Sequence, residues 1–251
     1  GVDGFANGVI NINGLFTNPQ LIGQATLFDG MLTLDYLNTK YFFSGTTYFD
    51  KNRIDFGRVS LSDRYQGEGQ MIGHIILDRL RAKELDLNLI FQNIEVLNTV
   101  KNQNKLYYGT AFGTGDAHFF GPISEMIIDL NVKTDANTRI KIPLESQSEF
   151  ELKDYIIFNN PQDISTLSNV KIEALTATNG IQLNMNLEVT DQAYAELIFN
   201  DQTGDIIRGK GEGNLLVKIS SLGEFELLGQ VEIKEGAYNW TSDFLNKEFQ
   251  I

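Results

Sequence analysis

Few residues in this chain have the type and spacing that chemistry needs. Its 251 residues hold two histidines, His74 and His118, and no cysteine. The two lie far apart, each within an alternating stretch, and form no pair with metal-ligand spacing. Both read as packed or hydrogen-bonded core or edge residues. The run "GKGEG" at 209–213 suggests a phosphate cradle, but such a loop must open a helix whose N-terminus faces the anion. The next residues, "NLLVKI", read as a strand, so the glycines are taken as tight backbone between two strands. "DKNRID" at 50–55 offers carboxylates for calcium, yet lacks the loop's glycine and its closing bidentate glutamate. No serine sits in a G-x-S-x-G elbow, and the acids are scattered on polar faces. No catalytic, cofactor-binding or metal-ligating residue is assigned, and the chain reads as a non-enzyme.

Composition narrows the partners. The formal net charge is -13 and the sequence pI about 4.6. Such a chain repels nucleic acid and anionic headgroups at long range, which removes nucleic acid as a partner. Without cysteine there are no disulfides or thiolate metal sites. Runs such as "YIIF" at 155–158 are far too short to span a bilayer, and no charged-then-apolar leader precedes the first strand. The chain is expected to be a piece of a longer protein, with any anchor outside it.

The elements are strands. Apolar residues alternate with polar ones at Leu85, Leu87 and Leu89, at Ile128, Leu130 and Val132, and at Ile140, Ile142 and Leu144. The same beat runs through Ile181, Leu183, Met185, Leu187 and Val189, through Leu215, Val217 and Ile219, and through Phe225 and Leu227. A two-residue turn pairs the residues that flank it, so apolar positions must mirror about it. A turn at Asn179-Gly180 pairs Ile172 with Leu187 and Val170 with Val189. One at Asp29-Gly30 pairs Leu27 with Leu32 and Ala25 with Leu34. One at Glu235-Gly236 pairs Ile233 with Tyr238 and Val231 with Trp240. The rule fails at Asn13-Gly14, where a bulge or longer bend is expected. Residues 77–83 and 159–168 read as loops or single helical turns. No Pro-, Gly- or Ser-rich linker divides the chain. The apolar face these strands share fits either a packed sandwich or barrel core or an open trough wetted by lipid.

The run "DIIRGKGEGNLLVKISSLGEFELLGQVEIKEGAYNWTSDFLNKEFQI" resembles the closing region of TamB-like proteins of the AsmA-like superfamily, in the form seen in Bacteroidota. The likeness rests on Gly223, Phe225, Gly229, Ile233, Gly236, Tyr238, Trp240 and Thr241, then Asn246, Lys247, Phe249 and Ile251. Upstream, "LYYGTAFGTGDAHFFGP", "DRYQGEGQMIGHI" and "LEVTDQAYAELIFN" are similar too, so it covers nearly the whole chain. The resemblance implies one domain over 1–251. Its all-β fold would be a curved, elongated β-taco, an open U-shaped sheet with an apolar concave interior. It also implies a periplasmic location, with the parent anchored in the inner membrane of a diderm bacterium. The function implied is conduction of phospholipids between the two membranes, with acyl chains as ligand. The alternative is assembly of outer-membrane β-barrels with an Omp85-type partner such as TamA. Family members continue past this point with a further strand and a tail, where contact with that partner is expected. A structural spacer or adhesin-like sandwich is the third reading. The expected lipid-groove residues are the apolar beat positions named above other than Ile181, together with Ala25, Leu27, Leu32, Leu34, Val170, Ile172, Val231, Ile233, Tyr238 and Trp240.

Overall fold

Alternation on this scale makes strands, and the computed structural model is all-β. It describes residues 1–104, 107–143, 180–200, 204–222, 224–242 and 245–251. Fourteen strands among them form one sheet. They are β1 (Val2–Leu15), β2 (Asn18–Leu34), β3 (Thr39–Lys51), β4 (Arg53–Asp63), β5 (Glu68–Asp78), β6 (Arg81–Thr99) and β7 (Tyr108–Pro122). Next come β8 (Ile127–Thr134), β9 (Arg139–Pro143), β10 (Gln182–Val189), β11 (Tyr194–Asn200), β12 (Asp205–Ile219), β13 (Phe225–Ser242) and β14 (Leu245–Gln250). No helix among the described residues is long and apolar enough to cross a membrane.

From β1 to β8 the sheet is an antiparallel meander. Beyond it the pairings close a ring, β7–β8–β10–β12–β11–β9 and back to β7. β8 and β9 occupy successive stretches along one edge of β7, and β10 and β11 do the same along β12. The two interrupted strands run parallel at a constant offset: Ile127 opposite Gln182, Lys133 opposite Glu188, Arg139 opposite Tyr194. They break side by side, at 135–138 and 190–193. β13 lies along the other edge of β12 and carries β14.

Polar pairs at that same offset bind the parallel seam. Asn184 Nδ2 donates to Asp129 Oδ1 at 2.7 Å and Asn186 Nδ2 to Asn131 Oδ1 at 2.8 Å. Lys133 and Glu188 meet at 3.0 Å, Lys141 and Glu196 at 2.9 Å.

Three expected turns are corrected. Asp29-Gly30 lies inside β2 as a bulge: the register steps from Leu27 opposite Gly45 to Gly30 opposite Phe43, with Asp29 at φ 49. Glu235-Gly236 lies inside β13, where Lys234 is the extra residue between Gly211 opposite Ile233 and Lys210 opposite Glu235. Asn13-Gly14 does not bend, since pairing runs on to Leu15 opposite Asn18 and the turn is Phe16-Thr17. Residues 77–83 are neither loop nor helix. β5 and β6 meet through a two-residue turn, Arg79-Leu80, with both φ angles positive at 48 and 66, the geometry of a hairpin turn matched to strand twist. "GKGEG" is not between strands but within β12, opposite the Lys234 bulge. Leu144, Val170, Ile172, the partners expected across Asn179 and the 159–168 stretch lie outside the described residues. Both edges of β10 pair with β8 and β12, so β10 does not make the hairpin expected about Asn179-Gly180.

The sheet is strongly curved. Laid flat, β3 and β6 would stand about 14 Å apart across two intervening strands. Instead Tyr41 Oη on β3 donates to the Glu95 carbonyl of β6 at 2.9 Å. Bulges in β2, β4, β6 and β13 bend their strands. Glycine permits close approach of neighbouring backbone: at Gly73 (φ 140) an added Cβ would meet the Asp86 carbonyl oxygen of β6, in a backbone conformation that side chains rarely adopt.

Candidate functional site: a concave apolar face

Residues directly opposite in a ladder project from the same face of a sheet. Following the register from strand to strand gives apolar rows that cross the sheet. One runs Met71, Leu89, Ala117, Leu130, Met185, Val217, Leu227 from β5 to β13. A second runs Leu87, Phe119, Ile128, Leu183, Ile219, with Phe225 at the next register position. A third runs Leu61, Gly69, Phe91, Gly115, Val132, Leu187, Leu215. Seven positions at strand spacing make the first and third rows roughly 29 Å long. This is the concave face, because only a concave face brings Tyr41 against the cluster of Phe91, Ile94 and Ala117. Leu89, Val96, Phe119, Leu130 and Val132 pack on that cluster too.

The remaining expected positions among the described residues fall on the same face. Ala25 stands opposite Gly8 and Thr47, Leu27 opposite Gly45, and Leu85 opposite Ile75. Leu32 pairs with Tyr41 and Leu34 with Thr39. Ile140 pairs with Ala195, and Ile142 joins Leu197, Ile207 and Tyr238 in a short row. Val189 is in line with Gly213 and Val231, Ile233 opposite Gly211, and Trp240 two residues beyond Tyr238 on β13. The face is not roofed by another sheet among the described residues. Of the expected positions whose side chains are described, only Ala25 and Val217 are buried. Leu34, Leu227, Val231 and Trp240 remain 37–48% exposed, and the others are half-buried.

Sequence reasoning missed the closed end of this face. The β2–β3 turn folds over the far end of β6: Asn38 Nδ2 donates to the Asn98 carbonyl at 2.6 Å, and Asn98 N to the Leu37 carbonyl at 2.9 Å. Tyr36 and Tyr107 hydroxyls stand 3.4 Å apart. The loop after β4 is caught by acids. Asp63 Oδ1 accepts Tyr65 N and Gly67 N, while its Oδ2 accepts Glu95 N at 2.6 Å. Glu95 is fully buried; its Oε1 meets Arg64 Nη2 at 2.7 Å, and its Oε2 accepts no hydrogen bond from the described residues. Burial raises the Tyr41 phenol pKa, and the Glu95 and Asp63 charges raise it further. Burial likewise raises Tyr107, helped by the Tyr36 hydroxyl. A lone buried Glu or Asp carries no periodic signal, so nothing in the pattern marked these residues. Phe43, Phe49, Phe56 and Val59 also belong to the concave face by register. Their alternation is blurred by Phe42 and Tyr48, which sit exposed on the other face.

His118 Nε2 lies 2.9 Å from Asp86 Oδ1 on the outer face and its ring stacks on Phe120, while His74 stands opposite Asp55 and Asp86. Among the described residues no group of His, Asp or Glu is arranged to hold a metal ion. "DKNRID" forms the β3–β4 turn, where Asp55 is engaged by Arg53 at 2.7 Å.

No curated protein and no solved structure matches the chain. A family model described as the TamB C-terminal domain matches residues 58–251, which takes in β5 to β14 and the second half of β4. With a curved all-β sheet under that match, the chain belongs to the TamB family of cell-envelope transport and assembly proteins.

Proposed function

We propose that this chain is one β-taco domain of a longer, inner-membrane-anchored periplasmic protein, of the Bacteroidota type, whose concave face conducts phospholipids between the membranes of a diderm envelope. The observation that carries this reading is the continuous apolar face left half-exposed along β8 to β13. A lipid crossing water must expose its tails, and at about 0.8 kcal/mol per methylene a sixteen-carbon tail costs on the order of 12 kcal/mol. Rows of Leu, Ile, Val and Met remove most of that cost while the headgroup stays in water. One tail spans about half of a roughly 30 Å hydrocarbon core, so a row of roughly 29 Å exceeds a single tail and offers successive resting places. An apolar row without polar anchors holds cargo loosely, whereas a specific pocket would carry a few placed polar groups. Transport needs the former, and no enzymatic step.

The test is acyl-chain capture by the whole chain after delipidation, with a fluorescent or photoreactive fatty acid as probe. Labelling is expected on Leu130, Leu187 and Leu215, and Leu187→Asp should weaken capture while leaving the protein folded. Absence of any saturable binding would overturn the proposal. A second reading, assembly of outer-membrane barrel strands with an Omp85-type partner, is favoured by β1, whose outer edge is unpaired among the described residues. Val9, Ile12 and Leu15 there are 69–74% exposed. An open edge of this kind templates pairing with another strand. Crosslinks from β1 to a client strand, with none from the concave face to lipid, would select it.

A further inference from the structure

On the opposite, outer face, the paired interruptions of β8–β9 and β10–β11 leave a cleft of about 450 Å³. Asn137, Thr138 and Gln192 line it, together with three side chains from adjacent strands. Arg139, Tyr194 and Lys210 are mutually opposite in register, so they form one row on one face. The Arg139 guanidinium lies over the Tyr194 ring, 5.7 Å from its centroid.

The charge pattern here departs from the rest of the seam. Lys133 and Lys141 each face an acid on the neighbouring strand and are neutralised by it. Arg139 instead faces an aromatic ring, with a second cation, Lys210, beyond it. Neither Arg139 nor Lys210 makes an ion pair among the described residues, although the chain has 33 acids to 20 basic residues. Two strand spacings put their backbones about 10 Å apart, a gap that two long side chains close over the ring onto one small anion.

We infer that this cleft binds the phosphate of a phosphomonoester. Arg139 supplies the planar fork that grips two phosphate oxygens, and Lys210 the point charge opposite. The Tyr194 ring holds the guanidinium in place from below. Asp191 in the cleft wall and Glu235 opposite Lys210 oppose any anion, so a doubly charged phosphate monoester is retained where a single carboxylate is not. The site is on the outer face and stands whether or not lipid occupies the concave one.

The experiment uses the whole chain with three probes: inorganic phosphate, glycerol phosphate, and phosphatidylcholine vesicles with or without phosphatidic acid. Saturable shifts of the Arg139 guanidinium and Tyr194 ring resonances by NMR are expected with both soluble probes. Each of Arg139→Gln and Lys210→Gln should weaken them by about tenfold or more, the effect of losing one charged hydrogen-bond partner. The thermal midpoint should stay unchanged, since both side chains are exposed. Vesicle binding that needs phosphatidic acid and both cations assigns the ligand to a lipid headgroup, and binding of the soluble probes alone assigns it to a soluble phosphate. No saturable shift, or shifts equal in the double variant, overturns the assignment.

Discussion

The concave face has two halves of different character. From β3 to β7 it carries Phe43 and the buried cluster built on Phe91, with Tyr41 and Phe119 packed against it, and its end is strapped by Asn38, Asp63, Glu95 and Tyr107. From β8 to β13 it is mainly aliphatic, with Tyr238 and Trp240 on β13; beyond Leu130 and Val132, which reach the cluster, it is mostly half-exposed and unstrapped. The same alternating pattern therefore builds a packed core where the sheet curls until its own walls touch, and an open surface where it does not. Curvature, more than hydrophobicity, decides which outcome a greasy strand meets.

Truncation in each half separates the two most strongly. Phe91→Ala removes a ring from the packed cluster and is expected to cost about 3–4 kcal/mol, with a cavity left behind. Leu187→Ala removes a half-exposed side chain and should cost about 1 kcal/mol. Chemical denaturation measures both, and equal costs would mean that the two halves pack alike. Next in size is the strap. Arg64→Ala leaves the Glu95 carboxylate buried and unpaired. A wholly buried pair loses about 3–5 kcal/mol on such a change. Because the guanidinium is 46% exposed, about 2 kcal/mol is expected here, read as a lower denaturant midpoint. The smallest effect belongs to the outer face of the open half. Glu196→Gln frees Lys141, whose pKa the Glu196 hydrogen bond raises. A raised pKa adds stability that is complete below the unfolded lysine value near about 10.4 and is lost as pH rises through the folded one. Wild type and variant should thus differ by roughly a few tenths of a kcal/mol at neutral pH, with the gap closing in strong alkali or high salt.

Which residues share a face was legible in the alternation; how the chain turns was not. Asp-Gly and Glu-Gly pairs signal tight turns, yet Asp29-Gly30 sits in a bulge, where the strand carries a spare residue. Such a bulge keeps the apolar beat on its side of the sheet, so Leu27 and Leu32 share a face although the hairpin that predicted it does not exist. The real turns at Phe16-Thr17 and Arg79-Leu80 contain no glycine and left no mark to read. The buried acids were equally silent, because Asp63 and Glu95 are brought together by curvature between residues far apart in the chain.

The parallel seam has a mechanical corollary. Every other pairing among the described residues joins strands that stand close to one another in chain order, so the stretch before the seam and the stretch after it can each zip up locally. Among the described residues only β8 against β10 and β9 against β11 tie the two zippers together. Under heat or tension the sheet is expected to part along that line first, releasing two curled leaves that each keep their own hairpins, an order that hydrogen exchange or force spectroscopy would read.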